Sequence, residues 1–383
     1  MATLFKSISD GDIITTRDIF HESISVTGTL ISGTYGENGT ITQFPNEENI
    51  KNYDHGALYQ SVYDYPYLSA SSNHLFDLTV GYSTSSVFIH SSEPRPSENN
   101  VQNDKKINIY NHMAQVLVGH DDTGSIKEFR IPSGDAIREA YFINFSHVLV
   151  KDEIKKGSLT MSFGTGSSFT NAHNYNGENR IIYDFADETY YSDSPAGDYS
   201  KLTFSTAPSS PEQNKPCGLI YYQAGVIVLS ASMFFPYDST STTKTGDAFD
   251  NDGFVYITGS GGDDGDDADL SFRQLLVSSS ITGTTNALRH RIRNIEFSNT
   301  TELNSTIHRC RLNINEFNYS SNPTYASSSK IQVNNEAEPM PSTYMTTVGL
   351  YGPDNALLAV AKLSKPLKKS PQDESVLKVR LDY

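Results

Sequence analysis

Alternating apolar and polar positions recur along most of the chain and predict β-strands joined by polar turns. Between residues 12 and 33, Ile24 and Val26 fall on one face of a strand, and Gly28 and Gly33 supply turn signals, so this segment is predicted to form a hairpin. Residues 75–80 look like another strand, residues 158–163 alternate as a strand, and the apolar runs 219–222 and 226–229, which flank Gly225, predict two core strands. Residues 141–154 fit either a helical or a strand period.

One segment, residues 104–118, has the spacing of an amphipathic helix. Its apolar residues recur three and four positions apart, and Gly119 is placed to end the helix. These apolar positions are Ile107, Tyr110, Met113, Ala114, Val116 and Leu117. We expect this face to pack on a sheet.

The last hundred residues show the most regular alternation and predict two half-buried strands. The first carries on one face Arg289, Arg291, Arg293, Ile295 and Phe297. The second carries Cys310, Leu312 and Ile314 opposite Arg309 and Arg311. The first arginine row, Arg289, Arg291 and Arg293, is interpreted either as a solvated sheet face, which is the default, or as a ladder that meets acidic surface on a neighbouring subunit.

The C-terminal segment predicts a hairpin followed by a final strand. Residues 346–350 and 357–362 flank Gly-Pro-Asp-Asn, in which Pro353 presets the backbone of a turn. From Leu377 to Tyr383 alternate residues are apolar or aromatic, so the last residue is expected to be held in a sheet. Tyr351 and Tyr383 are interface candidates, because tyrosine is enriched at protein interfaces.

These elements predict a mainly β fold of antiparallel, sandwich-like sheets with long polar loops and at least one helix packed on a sheet. The predicted organisation has an N-terminal β region (1–90), a central β domain containing the helix (104–235) and a C-terminal β region (270–383). Residues 171–215 are expected to form an elaborated loop, and residues 238–269 an acidic surface loop rich in Gly and Asp.

The composition of the chain argues against nucleic acid and membranes as partners. Its 383 residues have a net charge of −16, and the longest basic groupings are pairs of lysines, so nucleic acid is not expected as a partner. No apolar run reaches the roughly 20 residues of a membrane span, and no membrane partner is expected. The N-terminus lacks a signal-peptide pattern and the chain has 2 cysteines, which favours reduced thiols and synthesis in a cytoplasm.

The chain lacks the residue patterns of common catalytic sites, so we expect that the protein is not an enzyme and needs no cofactor. Ser167 lacks the glycine spacing of a hydrolase elbow, and the chain has no phosphate-binding loop or dinucleotide fingerprint. The 10 histidines are scattered singly, so no zinc site and no catalytic residue is assigned.

The acidic segment resembles a calcium-binding loop only in part. Calcium prefers oxygen ligands at alternating positions, but Thr258 and Gly259 occupy the region where a closing Glu is needed. A solvated loop is therefore the favoured interpretation, and no metal is assigned. The weak calcium-ligand candidates are Asp250, Asp252, Asp263 and Asp266.

Four blocks of sequence, in the same order along the chain, resemble virion structural proteins of marine contractile-tailed bacteriophages. They are VTGTLISGTYG (26–36), KDEIKKG (151–157), NTTELNST (299–306) and TTVGLYGPDNALLAVAK (346–362). The last block also resembles a hairpin of phage tail-fibre and baseplate proteins, in which a Gly-Leu-Tyr strand turns into a Leu-Ala-Val strand.

The resemblance implies a structural subunit of a phage particle, located in the tail or baseplate and carrying no catalytic residues. Its implied partners are other virion proteins and copies of itself, with assembly in the host cytoplasm and residence in the virion. Two alternatives remain open at this stage. Tyr, Asn and Asp on loops of a β scaffold also suit a receptor- or carbohydrate-binding module, and a tail-associated depolymerase is the third hypothesis.

Overall fold

A computed structural model shows a mainly β protein that divides into two compact units. The larger unit is His21–Thr301, and the smaller unit combines Met1–Phe20 with Glu302–Tyr383. The structure describes residues 5–26, 49–52, 58–86, 101–132, 134–163, 180–184, 190–205, 215–231, 276, 280–289, 292–320, 322–323, 326–327, 330–331 and 341–383.

Twenty strands and three α-helices lie in the described residues. The strands are β1 (Ile13–Ser25), β2 (Ile50–Asn52), β3 (Gln60–Tyr63), β4 (His74–Tyr82), β5 (Phe129–Arg130), β6 (Ala136–Ile137), β7 (Glu139–Phe145), β8 (Glu153–Ile154), β9 (Thr160–Phe163), β10 (Arg180–Asp184), β11 (Tyr191–Ser194), β12 (Gly197–Ser205), β13 (Lys215–Tyr221), β14 (Val226–Ser230), β15 (Ile292–Leu312), β16 (Ala326–Ser327), β17 (Lys330–Ile331), β18 (Thr343–Tyr351), β19 (Leu357–Lys369) and β20 (Ser375–Asp382). The helices are α1 (Val101–Leu117), α2 (His147–Val150) and α3 (Ile281–Arg289), and Asp10–Asp12 forms one 3-10 turn.

The larger unit is built on one antiparallel sheet, in the order β15-β9-β10-β12-β13-β14-β7-β4-β3-β2. Apolar residues alternate between its two faces, as the period of a strand requires. On β7, Tyr141 and Ile143 enter one hydrophobic cluster, whereas Phe142 enters a second cluster on the opposite face. The central strands are therefore buried on both faces, which explains the near-continuous apolar sequence of β14.

The first cluster is enclosed by distant parts of the same sheet. Phe145 on β7 and Phe297 on β15 pack with ring centroids 5.0 Å apart, although their strands are not neighbours in the sheet order. The predicted antiparallel, sandwich-like class is confirmed in this sense, because two parts of one sheet face each other across a core.

Helix α1 covers the second cluster, which confirms the prediction of a helix packed on a sheet. Tyr110 is buried and its ring lies 5.4 Å from that of Phe129, between centroids. Gly81 on β4 permits the close approach, because a Cβ there would lie 2.8 Å from the carbonyl oxygen of Lys106 and from the amide nitrogen of Tyr110. The predicted apolar face is wrong at Val116, which is 63% exposed, while Lys106 is fully buried.

In the smaller unit, β20 and β1 flank the final part of β15. The β15–β20 register runs from Ser305 opposite Asp382 to Leu312 opposite Ser375. Strands β18 and β19 form a separate two-stranded sheet, which confirms the predicted C-terminal hairpin. The backbone of Tyr383 exchanges hydrogen bonds with that of Asn304, so the expectation that this residue is held in a sheet is also confirmed.

The structure corrects three other predictions. The segment 171–215 contains β10, β11 and β12 rather than an elaborated loop, because cross-strand pairing with β13 orders a sequence whose local composition is turn-rich. Arg289 ends helix α3 instead of lying on a strand, and residues 292–312 form one strand of 21 residues where two were expected. Ile314 lies beyond that strand and is 44% exposed.

The four regions predicted from sequence do not coincide with the two units. Strands β2, β3 and β4, placed in the N-terminal region, share a sheet with β7, and the first part of β15 belongs to the same unit. Residues 238–269, including the calcium-ligand candidates, lie outside the described residues, as does the predicted turn after Val26.

Candidate protein interface on the C-terminal hairpin

The hairpin formed by β18 and β19 is fixed by its turn. Gly352 and Asn355 close the turn with a 3.0 Å backbone hydrogen bond, in which the amide of Asn355 is the donor. Pro353 presets the first central residue of the turn, and Asn355 adopts a φ of 61°, which Asn tolerates better than most residues. The amide of Gly352 donates to the carbonyl of Ala356 at 2.9 Å and joins the turn to the strands.

The two faces of this hairpin differ in exposure. Leu350 and Ala359 pair across the strands, and Leu350 is 8% exposed. The next pair, Gly349 and Val360, points to the opposite face, where Val360 is 56% exposed. One face of the hairpin therefore packs inward, while the other is open in the isolated chain.

The open face carries a contiguous group of apolar side chains. A Cβ on Gly349 would lie 3.0 Å from the ring of Tyr351 and 3.3 Å from Leu357, which places both side chains over this glycine. The ring of Phe5 packs on that of Tyr351, with centroids 4.8 Å apart. We call this group the hairpin patch, and its members and exposed fractions are Phe5 (47%), Tyr351 (47%), Leu357 (52%), Leu358 (70%) and Val360 (56%).

Three exposed lysines continue along β19 from the hairpin patch. Lys362, Lys365 and Lys368 are all exposed, and we call them the lysine strip. Pro366 lies between them and donates no backbone hydrogen bond. Lysine and proline on an edge strand oppose unwanted pairing with other strand edges, so contacts at this hairpin are directed to side chains rather than to the backbone.

The base of the hairpin is held by a buried lysine. Lys369 is fully buried, and its Nζ donates hydrogen bonds to the carbonyl of Ile314 at 3.2 Å, to Oδ1 of Asn318 at 2.9 Å and to the carbonyl of Ser370 at 2.8 Å. Three oxygen acceptors match the three donors of an ammonium group. Thr343, at the start of β18, donates to the carbonyl of Phe317 at 2.6 Å.

The last strand presents a second, polar surface. Tyr383 is 71% exposed, and its hydroxyl lies 3.1 Å from that of Thr306. Asp382 accepts hydrogen bonds from Ser305 and Arg380, both at 2.6 Å. The bond from Ser305, followed by that from Arg380, lowers the pKa of the Asp382 carboxyl, so this group stays ionised near neutral pH.

The arginines expected to form an interface lie elsewhere. Arg289 is fully buried in the larger unit, where its Nε donates to Oε1 of Gln60 at 3.2 Å and its Nη2 donates to Oδ1 of Asn286 at 3.1 Å. Arg293 is 6% exposed on β15, and Arg291 lies outside the described residues. Arg289 and Arg293 are therefore parts of the interior, and the expectation that they form a surface ladder is wrong.

Sequence reasoning placed Tyr351 and Tyr383 on the surface but missed most of the hairpin patch. Leu358 and Val360 continue the alternation of β19 beyond the turn, and a hairpin of two strands buries at most one face unless a second layer covers the other. A hairpin of only two strands with apolar residues on both faces therefore indicates that one apolar face is exposed, and this was the sequence signal for the hairpin patch. Nothing in the sequence around Phe5 indicated that this residue packs on the hairpin.

The larger unit contains a compact polar cluster near the end of β10. The hydroxyl of Tyr222 lies 2.8 Å from both carboxylate oxygens of Asp184, and the amide of Gly157 donates to Asp184 at 2.7 Å. Lys156 pairs with Asp198 at 2.5 Å and lies 4.1 Å from the centre of the Tyr190 ring. These contacts satisfy the carboxylate of Asp184 internally and tie the loop after β8 to β10.

In the part of the chain that the structure describes, no group of three or more His, Cys, Asp or Glu side chains is arranged to hold a metal ion. No helix there is long and apolar enough to span a membrane.

Comparison of the chain with protein-family models, with curated proteins and with solved structures found no match.

Proposed function

We propose that the chain is a structural subunit of a bacteriophage particle, located in the tail or baseplate, and that its hairpin patch binds a neighbouring virion protein. The observation that carries this proposal is the open face of the hairpin, where five apolar side chains are contiguous and roughly half or more exposed. Apolar residues scattered singly on a surface are ordinary, whereas a contiguous group marks an interaction surface. The resemblance of residues 346–362 to tail-fibre and baseplate hairpins supports the same surface.

The hairpin patch has the composition and support of an interface. Aromatic residues are enriched at interface cores, and Phe5 and Tyr351 already pack together. The three hydrogen bonds of the buried Lys369 and the backbone hydrogen bonds of the turn support the backbone beneath the hairpin patch. A surface held in this way loses little conformational entropy when it binds.

The stacked tyrosines of β11, β12 and β13 do not favour the carbohydrate-binding alternative. Tyr199 stacks between Tyr191 and Tyr221, with ring centroids 5.4 Å and 5.3 Å apart. Both faces of the Tyr199 ring are therefore covered by protein, whereas a sugar platform needs a free ring face. A glycan array remains the direct test of this alternative.

Purified virions of the encoding phage provide the test of location. We expect peptides of this chain in mass spectra of the virions and its density beneath the head in an electron cryomicroscopy reconstruction. Absence of the chain from complete virions would contradict the proposal.

Surface variants test the role of the hairpin patch. The double variant Leu358→Ser and Val360→Ser is expected to fold but to be lost from particles when it replaces the wild-type chain. The control pair, Val116→Ser and Val148→Ser, removes apolar side chains that are 63% and 80% exposed in the larger unit. Equal incorporation of both double variants would rule out the hairpin patch as the contact surface.

A further inference from the structure

Lys362 continues the open face of the hairpin beyond the hairpin patch. Gly349 pairs with Val360 on that face. Two positions further along the strands, Thr347 pairs with Lys362, and both residues are exposed. Because side chains alternate between the two faces of a strand, Lys362 points to the same side as Val360 and lies about 7 Å from it along β19. The apolar surface of the open face therefore ends at an ammonium group.

The charge of Lys362 is not offset within the described part of the chain. Among those residues, Lys362 forms no ion pair, and its cross-strand neighbour Thr347 is neutral. Other cations of the same unit are paired. Lys6 pairs with Glu316, and Arg311 lies 2.6 Å from Asp12, between Nε and Oδ1.

A partner that covers the hairpin patch also removes water from Lys362. The ammonium group lies on the same face as Val360, and a lysine lays its carbon stem along adjoining apolar surface. Taking an ammonium group out of water without a counter-charge is strongly unfavourable. A stable contact on the open face therefore needs an anionic group opposite Lys362.

We propose that the hairpin patch binds a protein surface in which an apolar area adjoins an Asp or Glu side chain, and that this carboxylate pairs with Lys362. The inference rests on the proposed function, because it names the chemistry of the surface that the hairpin patch binds. The apolar side chains supply the contact area. Lys362 selects the partner, since a neutral or positive group at the opposite position leaves the cation unpaired.

A protein carboxylate fits the open face better than a phosphate of lipid or nucleic acid. Anionic lipids are bound by clusters of about 4–8 Lys and Arg, whereas the open face from the turn to Lys362 carries one cation beside apolar side chains. Surfaces that bind nucleic acid are polar and strongly positive. The net charge of −16 on the chain also repels both kinds of polyanion.

Carbodiimide coupling in purified virions tests the contact directly, because this reagent joins an amine to an adjacent carboxylate without a spacer. We expect mass spectra to show Lys362 joined to an Asp or Glu of a neighbouring chain. Coupling of Lys6 to Glu316 within one chain is the control, because these side chains already form an ion pair. Virions in which Lys6 is coupled and Lys362 is not would overturn the proposal.

Charge variants at Lys362 provide a second test, in which each variant competes with the wild-type chain for incorporation into virions. Lys362→Glu should be incorporated at least about tenfold less than the wild type, because it places like charges together. Lys362→Arg keeps the positive charge and should be incorporated nearly as well as the wild type. The control Lys378→Glu makes the same change in net charge at an exposed position of β20 and should leave incorporation unchanged.

Lys362→Met separates a carboxylate contact from a purely apolar one. Methionine has an unbranched side chain without charge, so it should weaken a contact with a carboxylate and strengthen a contact with an apolar surface. Incorporation of this variant equal to or above that of the wild type would overturn the proposal and leave Lys362 as a charge that protects the strand edge. Sedimentation of the purified chain with phosphatidylglycerol vesicles, if lost in Lys362→Glu, would assign the cation to lipid and also overturn the proposal.

The carboxylate contact and the proposed function fail in different ways. Loss of the Leu358→Ser and Val360→Ser variant from virions, together with normal incorporation of Lys362→Glu, would overturn the carboxylate contact and keep the hairpin patch as the contact surface. Normal incorporation of both variants, or absence of the chain from virions, would overturn the proposed function and this inference with it.

Discussion

The rings of Phe145 and Phe297 pack at an interplanar angle of 52°, joining two strands that are not neighbours in their sheet. Both side chains are almost fully buried. Replacing Phe297 by alanine should therefore lower the free energy of unfolding by about 3–5 kcal/mol, because it leaves a cavity between two parts of the sheet. Chemical denaturation measures this change. The matched truncation Val148→Ala, at an 80% exposed position, should cost less than about 0.5 kcal/mol, and equal effects would contradict the enclosed core.

Lys106 makes stability depend on pH. Burial lowers the pKa of its amine from 10.5 to about 7 in the folded chain. Between these values the unfolded chain binds more protons, so the stability contributed by this group rises with pH from about 7 to 10.5. Lys106→Met should therefore stabilise the protein at pH values below 7, where burial of the charged amine costs on the order of several kcal/mol.

At high pH the same variant should lose its advantage. The neutral amine of Lys106 still donates to the carbonyl of Leu276 at 2.6 Å, and removal of this bond costs about 1 kcal/mol. Thermal melting of wild type and variant at several pH values measures the difference. Lys105→Met on the preceding position is the control, and a pH-independent difference for Lys106→Met would refute the assignment.

The fold class followed from strand periodicity, but the positions of individual charged residues did not. Alternation predicted β9, in which every second residue is buried, whereas continuous apolar runs predicted β13 and β14, whose apolar residues are buried. Arg289 also fitted a strand alternation by sequence, yet hydrogen bonds with Gln60 and Asn286 are available to it only at the end of a helix. Gln60 lies 229 residues away in sequence, so local periodicity carries no information about it.

Gly81 should tolerate no side chain. A Cβ at this position would meet backbone atoms of Lys106 and Tyr110 at 2.8 Å, and backbone cannot move aside as a flexible side chain can. We expect Gly81→Ala to cost about 1–3 kcal/mol by pushing α1 away from β4. Gly11→Ala is the control, because no atom lies within 4 Å of its Cβ position. Equal melting temperatures for the two variants would contradict the close approach.

The buried contact between Arg289 and Gln60 should be strongly coupled. Arg289→Met leaves the oxygens of Gln60 and Asn286 without this donor, and we expect a loss of about 3 kcal/mol. A double-mutant cycle with Gln60→Leu measures the coupling, and additive losses would show that the two side chains act independently. Arg130→Met, at an exposed position, should change stability by less than about 0.5 kcal/mol.

The candidate site was predictable only where the chain is locally regular. Pro353 and Asn355 indicated the turn, and the alternation around it indicated both strands. The buried state of Lys369 was not predictable, because its acceptors on Ile314 and Asn318 lie some fifty residues earlier. A lysine at the end of a row of lysines looks, by composition alone, like one more solvated charge.

Lys368 and Lys369 are adjacent in sequence but opposite in accessibility, since one is exposed and the other is fully buried. An acylating reagent must reach the amine that it modifies, so it should modify the exposed Lys362 and Lys365 while leaving Lys369 untouched. Covalent labelling can therefore neutralise the surface charge of the hairpin without breaking the hydrogen bonds of Lys369 that hold the base of the hairpin. Because Lys369 is buried, the charge of the hairpin surface can be changed chemically while the fold of the hairpin is kept.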